Sequence, residues 1–224
     1  MNRRKLLKNG LTLVAGSLFA SRVGAKSIIA QAEAFKMVTN ITPGNNALKD
    51  DNHKILIVYL SRTNNTKVVA QLIQKQAGGD LVALELDKPY PANYQAIVAQ
   101  VSQENDSGFL PPLKTKIDNI AQYDKIFVGF PTWGMQLPPP MKSFLKQYDL
   151  NGKTVIPFNT NAGYGIGSTF QTVKEMCPKS IVLDGFSTKG GVERDGVLFV
   201  MDGEKEKQTE VQIITWLNRI KIIK

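Results

Sequence analysis

The residues of this chain that could do chemistry lie in three polar or glycine-rich segments. The first is a run of hydroxyl, amide and guanidinium side chains: Ser61, Arg62, Thr63, Asn64, Asn65 and Thr66. If a helix begins at its end, free backbone N–H groups and the helix dipole favour an anion there. The run has no glycine, which excludes a Walker loop and a Gly-x-Gly-x-x-Gly dinucleotide loop. It predicts a phosphate site; a simple helix cap accounts for only one or two of these residues.

The second and third segments could hold a planar ligand. The second covers residues 129–135, with Pro131, Thr132, Trp133 and Gly134 as candidate ligand-binding residues. An indole in such a loop can stack on a flat ring, or it can plug the core beneath the loop. The third segment covers residues 159–168, with glycines at the alternate positions 163, 165 and 167. Its candidate ligand-binding residues are Thr160, Asn161, Ala162, Gly163, Tyr164 and Gly165. Alternating glycines let the backbone approach a ligand closely, or they form a flexible structural loop.

Two scarce residue types exclude several kinds of site. Cys177 is the single cysteine, so an intramolecular disulfide and a multi-cysteine metal or iron–sulfur site are excluded. His53 is the single histidine, which disfavours zinc chemistry. It lies in the polar stretch before the first predicted strand, so a Ser-His-Asp site would need that stretch to fold back over the domain. We therefore predict neither catalytic side chains nor a metal site.

The charge of the chain is concentrated at its start. The net charge is +9, but residues 1–25 hold five basic residues and no acidic one. The remainder carries 23 basic and 19 acidic residues, a balance of +4. Basic and acidic residues alternate there, as in residues 204–207, so nucleic-acid binding is disfavoured.

The N-terminal residues read as an export signal. Arg3 and Arg4 precede an apolar stretch over residues 11–20, which is too short for the roughly 20 residues of a membrane span. The small residues 23–25 suit signal-peptidase cleavage, with residues 30–32 as a second possible site. The arginine pair resembles a twin-arginine signal; a general secretory signal is the alternative. We predict a signal over residues 1–25, no membrane span after its removal, a linker over 26–52 and a periplasmic domain over 53–224.

Alternating strands and helices must position the three segments. Buried strands are predicted over residues 54–60, 81–86, 126–130, 154–158 and 180–183, and amphipathic helices over 66–76, 92–104, 141–148, 168–176 and 209–220. This order predicts a doubly wound parallel α/β sheet, in which ligands bind outside the carboxyl ends of the strands. The three segments would then converge at one edge of the sheet. Asp195-Gly196, within a glycine-rich excursion over residues 185–203, suggests a small hairpin.

These motifs resemble the flavodoxin family, in particular its long bacterial branch. The first segment matches that family's phosphate loop, with Asn64 where a glycine is expected, and Trp133 matches the first of two tryptophans. Gly134 stands where the second tryptophan is expected. The resemblance implies a five-stranded sheet of order 2-1-3-4-5 with helices on both faces. It also implies FMN, with its phosphate at the first segment and its ring between the second and third.

The resemblance implies an exported electron carrier that serves a redox partner protein or a small-molecule electron acceptor. Two alternatives stay open: an NAD(P)H-dependent quinone or small-molecule reductase, and a binding module of the same fold without flavin. Gly134 is a candidate for a peptide that rearranges with the redox state of the flavin. Tyr90 and Tyr94 either cover the site or pack structurally.

Overall fold

The computed structural model describes residues 54–224. The predicted export signal over 1–25, the linker over 26–52 and His53 lie outside the described residues. No helix between residues 54 and 224 is long and apolar enough to cross a membrane.

Strands and helices alternate along the described chain. The strands are β1 (Ile55–Tyr59), β2 (Asp80–Ala83), β3 (Lys125–Pro131), β4 (Thr154–Asn161), β5 (Ile181–Val182) and β6 (Phe186–Lys189). The helices are α1 (Asn65–Ala77), α2 (Tyr94–Ser107), α3 (Pro139–Gln147), α4 (Thr169–Met176) and α5 (Gly203–Arg219). Short 3-10 turns cover Ile120–Gln122 and Glu193–Asp195.

The strands form one parallel sheet in the order β2-β1-β3-β4-β5, with β6 also paired to β4. The first half of β4 pairs with β5 and its second half with β6, so these two short strands act as one interrupted fifth strand. The predicted fold, a flavodoxin-like doubly wound parallel sheet of order 2-1-3-4-5, is therefore confirmed.

Helices cover both faces of the sheet because the central strands are apolar on both sides. In β1, Leu56 and Val58 contribute to one core cluster, which includes side chains of α3 and α4. Ile57 and Tyr59 contribute to the other, which includes side chains of α1 and α5. This two-sided burial explains why the strand reads as a continuous apolar run.

The structure changes three of the predicted elements. Strand β2 ends at Ala83, and Leu86 makes only an isolated bridge to Leu113, because β2 is an edge strand with one partner. Helix α5 begins at Gly203 rather than at residue 209, with two glutamates in its first turn that complement the helix dipole. The hairpin suggested at Asp195-Gly196 is reduced to one antiparallel bridge around a 3-10 turn.

Candidate functional site

The three predicted segments meet at the carboxyl edge of the sheet, around one cavity. The parallel register fixes this arrangement, since Tyr59 pairs with Gly129 and Pro131 pairs with Thr160. The cavity has a volume of about 730 Å³, within the range of small-molecule sites. The predicted site residues line it with three exceptions: Ser61, Asn64 and Gly163.

The first segment leaves a row of backbone donors at the N-terminus of α1. Within the described residues, the backbone N–H groups from Arg62 to Thr66 donate no hydrogen bond. Ser61 Oγ instead accepts from the N–H of Lys67 at 3.2 Å. Asn64 adopts a left-handed conformation, φ 63°, as its substitution for glycine predicts. Free N–H groups at a helix N-terminus form an anion site, so this end of the cavity suits a phosphate.

Two side chains of this segment fasten it to other loops. The Thr66 and Thr160 hydroxyls lie 2.8 Å apart and are buried, which joins α1 to the end of β4. The amide of Asn65 donates to the carbonyl of Leu198 at 2.7 Å and accepts from the N–H of Val200 at 3.1 Å. The polar atoms of the Asn65 side chain therefore position the chain beside the site.

The guanidinium of Arg62 bridges two further segments. Its Nε donates to Glu193 Oε1 at 2.7 Å, in an ion pair whose two side chains are about one-fifth exposed. Its terminal nitrogens donate to the carbonyls of Pro91 and Ala92 at 3.0 and 2.7 Å. Three of its five N–H donors are thus engaged, which leaves two for a ligand. Arg62 lines the cavity, and its predicted part in cofactor binding stays a prediction.

The second segment places Trp133 in the cavity wall. The indole is half-buried, and the ring of Tyr90 meets it edge-on with centroids 5.5 Å apart. Tyr90 also donates to the buried Glu104, and burial together with this carboxylate raises the pKa of the Tyr90 phenol. Tyr94 lines the cavity. Tyr90 is therefore a packing residue and Tyr94 a wall of the site.

The turn after Trp133 is bound tightly to the third segment. Gly134 and Met135 both have positive φ, 56° and 60°. The Met135 carbonyl accepts from the N–H of Ser168 at 3.0 Å. A Cβ on Gly167 would lie 2.1 Å from that carbonyl oxygen, so only glycine fits at this approach.

Asparagine side chains shape the third segment. Asn161 Oδ1 accepts from the N–H groups of Gly163 and Gly165 at 2.9 and 3.2 Å. The fully buried Asn159 donates to Thr132 Oγ1 at 2.9 Å, which links the third segment to the second. Tyr164 is 64% exposed, and its hydroxyl accepts from Arg194 at 3.0 Å. Its ring is therefore free of the core, as a ligand-stacking aromatic must be.

Sequence reasoning missed two walls of the cavity. One is the segment 190–194, which follows β6 and carries the Arg62 and Tyr164 partners. The other is one face of α2, from Tyr94 to Asp106. The paired glycines 190 and 191 are the sequence signal for the first of these walls, since glycine pairs often mark a close approach of the backbone. In the structure, a Cβ on Gly190 would lie 3.3 Å from Asn65 Cβ. The apolar α2 face has no such signal, since it reads as an ordinary amphipathic helix.

Comparison with known proteins agrees with this geometry. The chain is 28% identical over 189 residues to a flavodoxin of Synechocystis sp., covering 76% of this chain and 97% of that protein. A candidate flavoprotein of Bacteroides eggerthii, 29% identical, superposes with a TM-score of 0.62 over 77% of this chain and 100% of that one. A flavoprotein of Lactobacillus acidophilus solved in complex with FMN, 22% identical, shares the fold with a TM-score of 0.54, over 65% of this chain and 98% of that one.

A model of the flavodoxin family matches residues 54–201, which is most of the described chain. These residues contain all three segments of the site and the strands that carry them. The chain therefore belongs to the flavodoxin family.

Proposed function

We propose that this protein is an exported FMN-binding electron carrier. The observation that carries the proposal is the row of backbone N–H groups from Arg62 to Thr66, which have no partner within residues 54–224 and lie at one end of a cavity whose wall also contains Trp133. A phosphate at the first feature and a flat ring at the second describe a flavin mononucleotide. Family membership supports the same cofactor.

The residues of the chain would divide the binding between two ends of the cavity. The N–H groups of the first segment would hold the phosphate, and the hydroxyl of Thr63, which lines the same cavity, would add a donor. Trp133 and the exposed Tyr164 would flank the ring. When bound, FMN supplies reversible one- and two-electron chemistry, and the protein tunes it by stacking, hydrogen bonds and nearby charge.

The proposed partner is a redox protein or a small-molecule electron acceptor. The excess of basic over acidic residues after residue 25 favours an acidic partner surface if the partner is a protein. A twin-arginine signal directs folded proteins across the inner membrane. The proposed export route therefore fits a carrier that binds its flavin in the cytoplasm, before it crosses. The proposed location is the periplasm.

The visible absorption spectrum tests the cofactor. The chain purified without residues 1–25 should carry, or take up, FMN and absorb as a flavin, and mass spectrometry should identify the released molecule. A colourless protein that takes up no added FMN would contradict the proposal and favour a binding module without flavin.

A second experiment tests the export route. Changing both Arg3 and Arg4 to lysine in the full chain should retain the protein in the cytoplasm, because the arginine pair is the feature that the twin-arginine route reads. Deletion of the twin-arginine translocase should have the same effect. Normal export in both cases would indicate the general secretory route.

A reductase is the second candidate function. The turn at Gly134 and Met135 presents no second tryptophan, and the cavity continues past it along α2. Steady-state oxidation of NADH or NADPH by the FMN-loaded protein separates the two functions. A carrier shows almost none without a partner, whereas a reductase turns over with a small acceptor.

A further inference from the structure

The cavity has a section that the three cofactor segments do not account for. This α2 section lies along one face of α2, with Ile97, Val98 and Val101 in its wall, and Trp133 and Met135 of the second segment also line it. Trp133 and Gly134, which are predicted cofactor residues, line the same cavity. A molecule in the α2 section would therefore adjoin the ring held at Trp133.

The wall of this section is apolar and open. Ile97 and Val101 are almost completely buried, but Val98 and Met135 are each 45% exposed. Both side chains line the cavity, so part of its apolar wall is uncovered. Uncovered apolar area inside a cavity gains free energy when an apolar ligand covers it.

The far end of the section is polar and supplies hydrogen-bond donors. Ser102, Asn105 and Gln136 line it. Lys142 Nζ donates to Asn105 Oδ1 at 2.8 Å, and a lysine can only donate, so the oxygen of this amide is fixed on Lys142. The NH₂ group of Asn105 is left as a donor for a ligand carbonyl. Asp106 also lines this end, so its carboxylate and the Lys142 ammonium leave the end without net charge, which suits an uncharged ligand.

From these features we infer that the α2 section binds an uncharged planar ring bearing carbonyl oxygens, which is the chemistry of a quinone. This inference rests on the proposed function, because the quinone takes its electrons from bound FMN that a donor protein has reduced. The quinone gains two electrons from reduced FMN, one proton from the same cofactor and one from solvent. It leaves as the quinol while FMN returns to its oxidised form.

The same features disfavour a pyridine nucleotide as the occupant. Its diphosphate carries negative charge, and the far end of the section offers no net positive charge for it, since Lys142 is accompanied there by Asp106. The phosphate donors at Arg62 to Thr66 lie at the FMN end and would already be in use. The α2 section thus favours a quinone over a pyridine nucleotide as its ligand, and it gives the quinone a binding site next to the proposed flavin ring.

Calorimetric titration of the full FMN-loaded chain with 2-methyl-1,4-naphthoquinone tests the inference. The wild type should bind it saturably. Val98→Glu should weaken binding by at least about tenfold, because a carboxylate replaces the open apolar wall. Val98→Leu, which keeps the wall apolar, should retain the affinity. Val211→Glu is the matched control, an exposed helical valine on α5, which packs on the other face of the sheet.

Three outcomes would overturn the inference: no saturable binding to the wild type, equal affinity in the Val98→Glu variant, or displacement of the quinone by NADPH. Flavin absorbance, recorded first, reports on the proposed function separately. Calorimetry does not require a flavin, so a chain that takes up no FMN can still be titrated. Loss of FMN binding and loss of quinone binding are therefore told apart.

Discussion

Arg62 illustrates how one side chain can serve the site through other residues. Its guanidinium neutralises Glu193, which lines the same cavity, and holds the carbonyls of Pro91 and Ala92. An unpaired carboxylate at Glu193 would oppose a phosphate. Arg62 therefore favours an anion even if it never touches one.

The first prediction separates these two roles of Arg62. Arg62→Gln should weaken FMN binding by about tenfold or more, because it leaves Glu193 charged and without its partner. Adding Glu193→Gln should restore much of that affinity. Fluorescence titration of the flavin-free protein with FMN measures both. If the double variant binds no better than Arg62→Gln alone, Arg62 contacts the phosphate directly.

A second prediction at the residue scale concerns Gly134. Its φ of 56° is unfavourable for alanine by about 1–2 kcal/mol, yet a Cβ there meets nothing within 4 Å. Gly134→Ala should therefore fold, with reduced stability. If this peptide changes conformation with redox state, at least one of the two one-electron potentials should move by about 40 mV or more.

The matched control for Gly134→Ala is Gly152→Ala. Gly152 also has positive φ, 75°, and open space for a Cβ, but it lies in the turn between α3 and β4. The control should lose similar stability and leave both potentials unchanged. Potentiometric titration measures these values, and unchanged potentials in Gly134→Ala would remove the special role of that glycine.

At the scale of elements, Asn65 joins the start of α1 to the chain that leads into α5. Its side-chain amide pairs with the backbone of Leu198 and Val200 as a neighbouring strand would. Asn65 is 3% exposed and both hydrogen bonds are partly buried, so water competes for them less than it would at the surface. This contact holds the chain that follows segment 190–194, one wall of the cavity, beside the start of α1.

Removing that amide should therefore loosen a whole segment. Asn65→Ala should lower the free energy of unfolding by about 1–2 kcal/mol, because the buried side chain loses its two hydrogen bonds to the partly buried backbone of Leu198 and Val200. Urea unfolding measures the change, and faster amide exchange at residues 198–200 should accompany it. Asn151→Ala, at an exposed turn position, should change the stability little. Equal effects of the two substitutions would contradict the structural role of Asn65.

At the scale of the whole molecule, Cys177 reports on the integrity of the core. It is buried in the cluster that contains α3 and α4, and burial raises the pKa of its thiol from 9.0 to about 11. A raised pKa means that the fold stabilises the neutral thiol. This contribution to stability is complete below pH 9 and is lost as the pH rises towards 11.

Cys177 should accordingly resist alkylation in the folded protein. Iodoacetamide at pH 8 should modify the native chain far more slowly than the urea-unfolded chain, since the reactive thiolate is both scarce and enclosed. Intact-mass spectrometry over time measures the two rates. Rapid modification of the native protein would show that Cys177 is accessible.

Much of the molecule could be predicted from its sequence because the signals are local. The continuous apolar run at β1 indicates a doubly covered strand, and Asn64 at a glycine position indicates a left-handed turn. FMN is predicted from the resemblance to the flavodoxin family, and the match to that family confirms the prediction. The packing role of Tyr90 depends on Trp133 and Glu104, which are distant in sequence, so the sequence left it open.

The sequence by itself determined the alternation of elements, the sheet edge at which a ligand binds, and the three segments that meet there. These follow from hydrophobic periodicity and from the position of parallel strand ends. Only the tertiary structure decided that Arg62 reaches Glu193, that segment 190–194 completes the cavity, and that α2 opens an apolar section beside it. Such contacts join residues far apart in the chain, and their partners are set by packing, which no local pattern encodes.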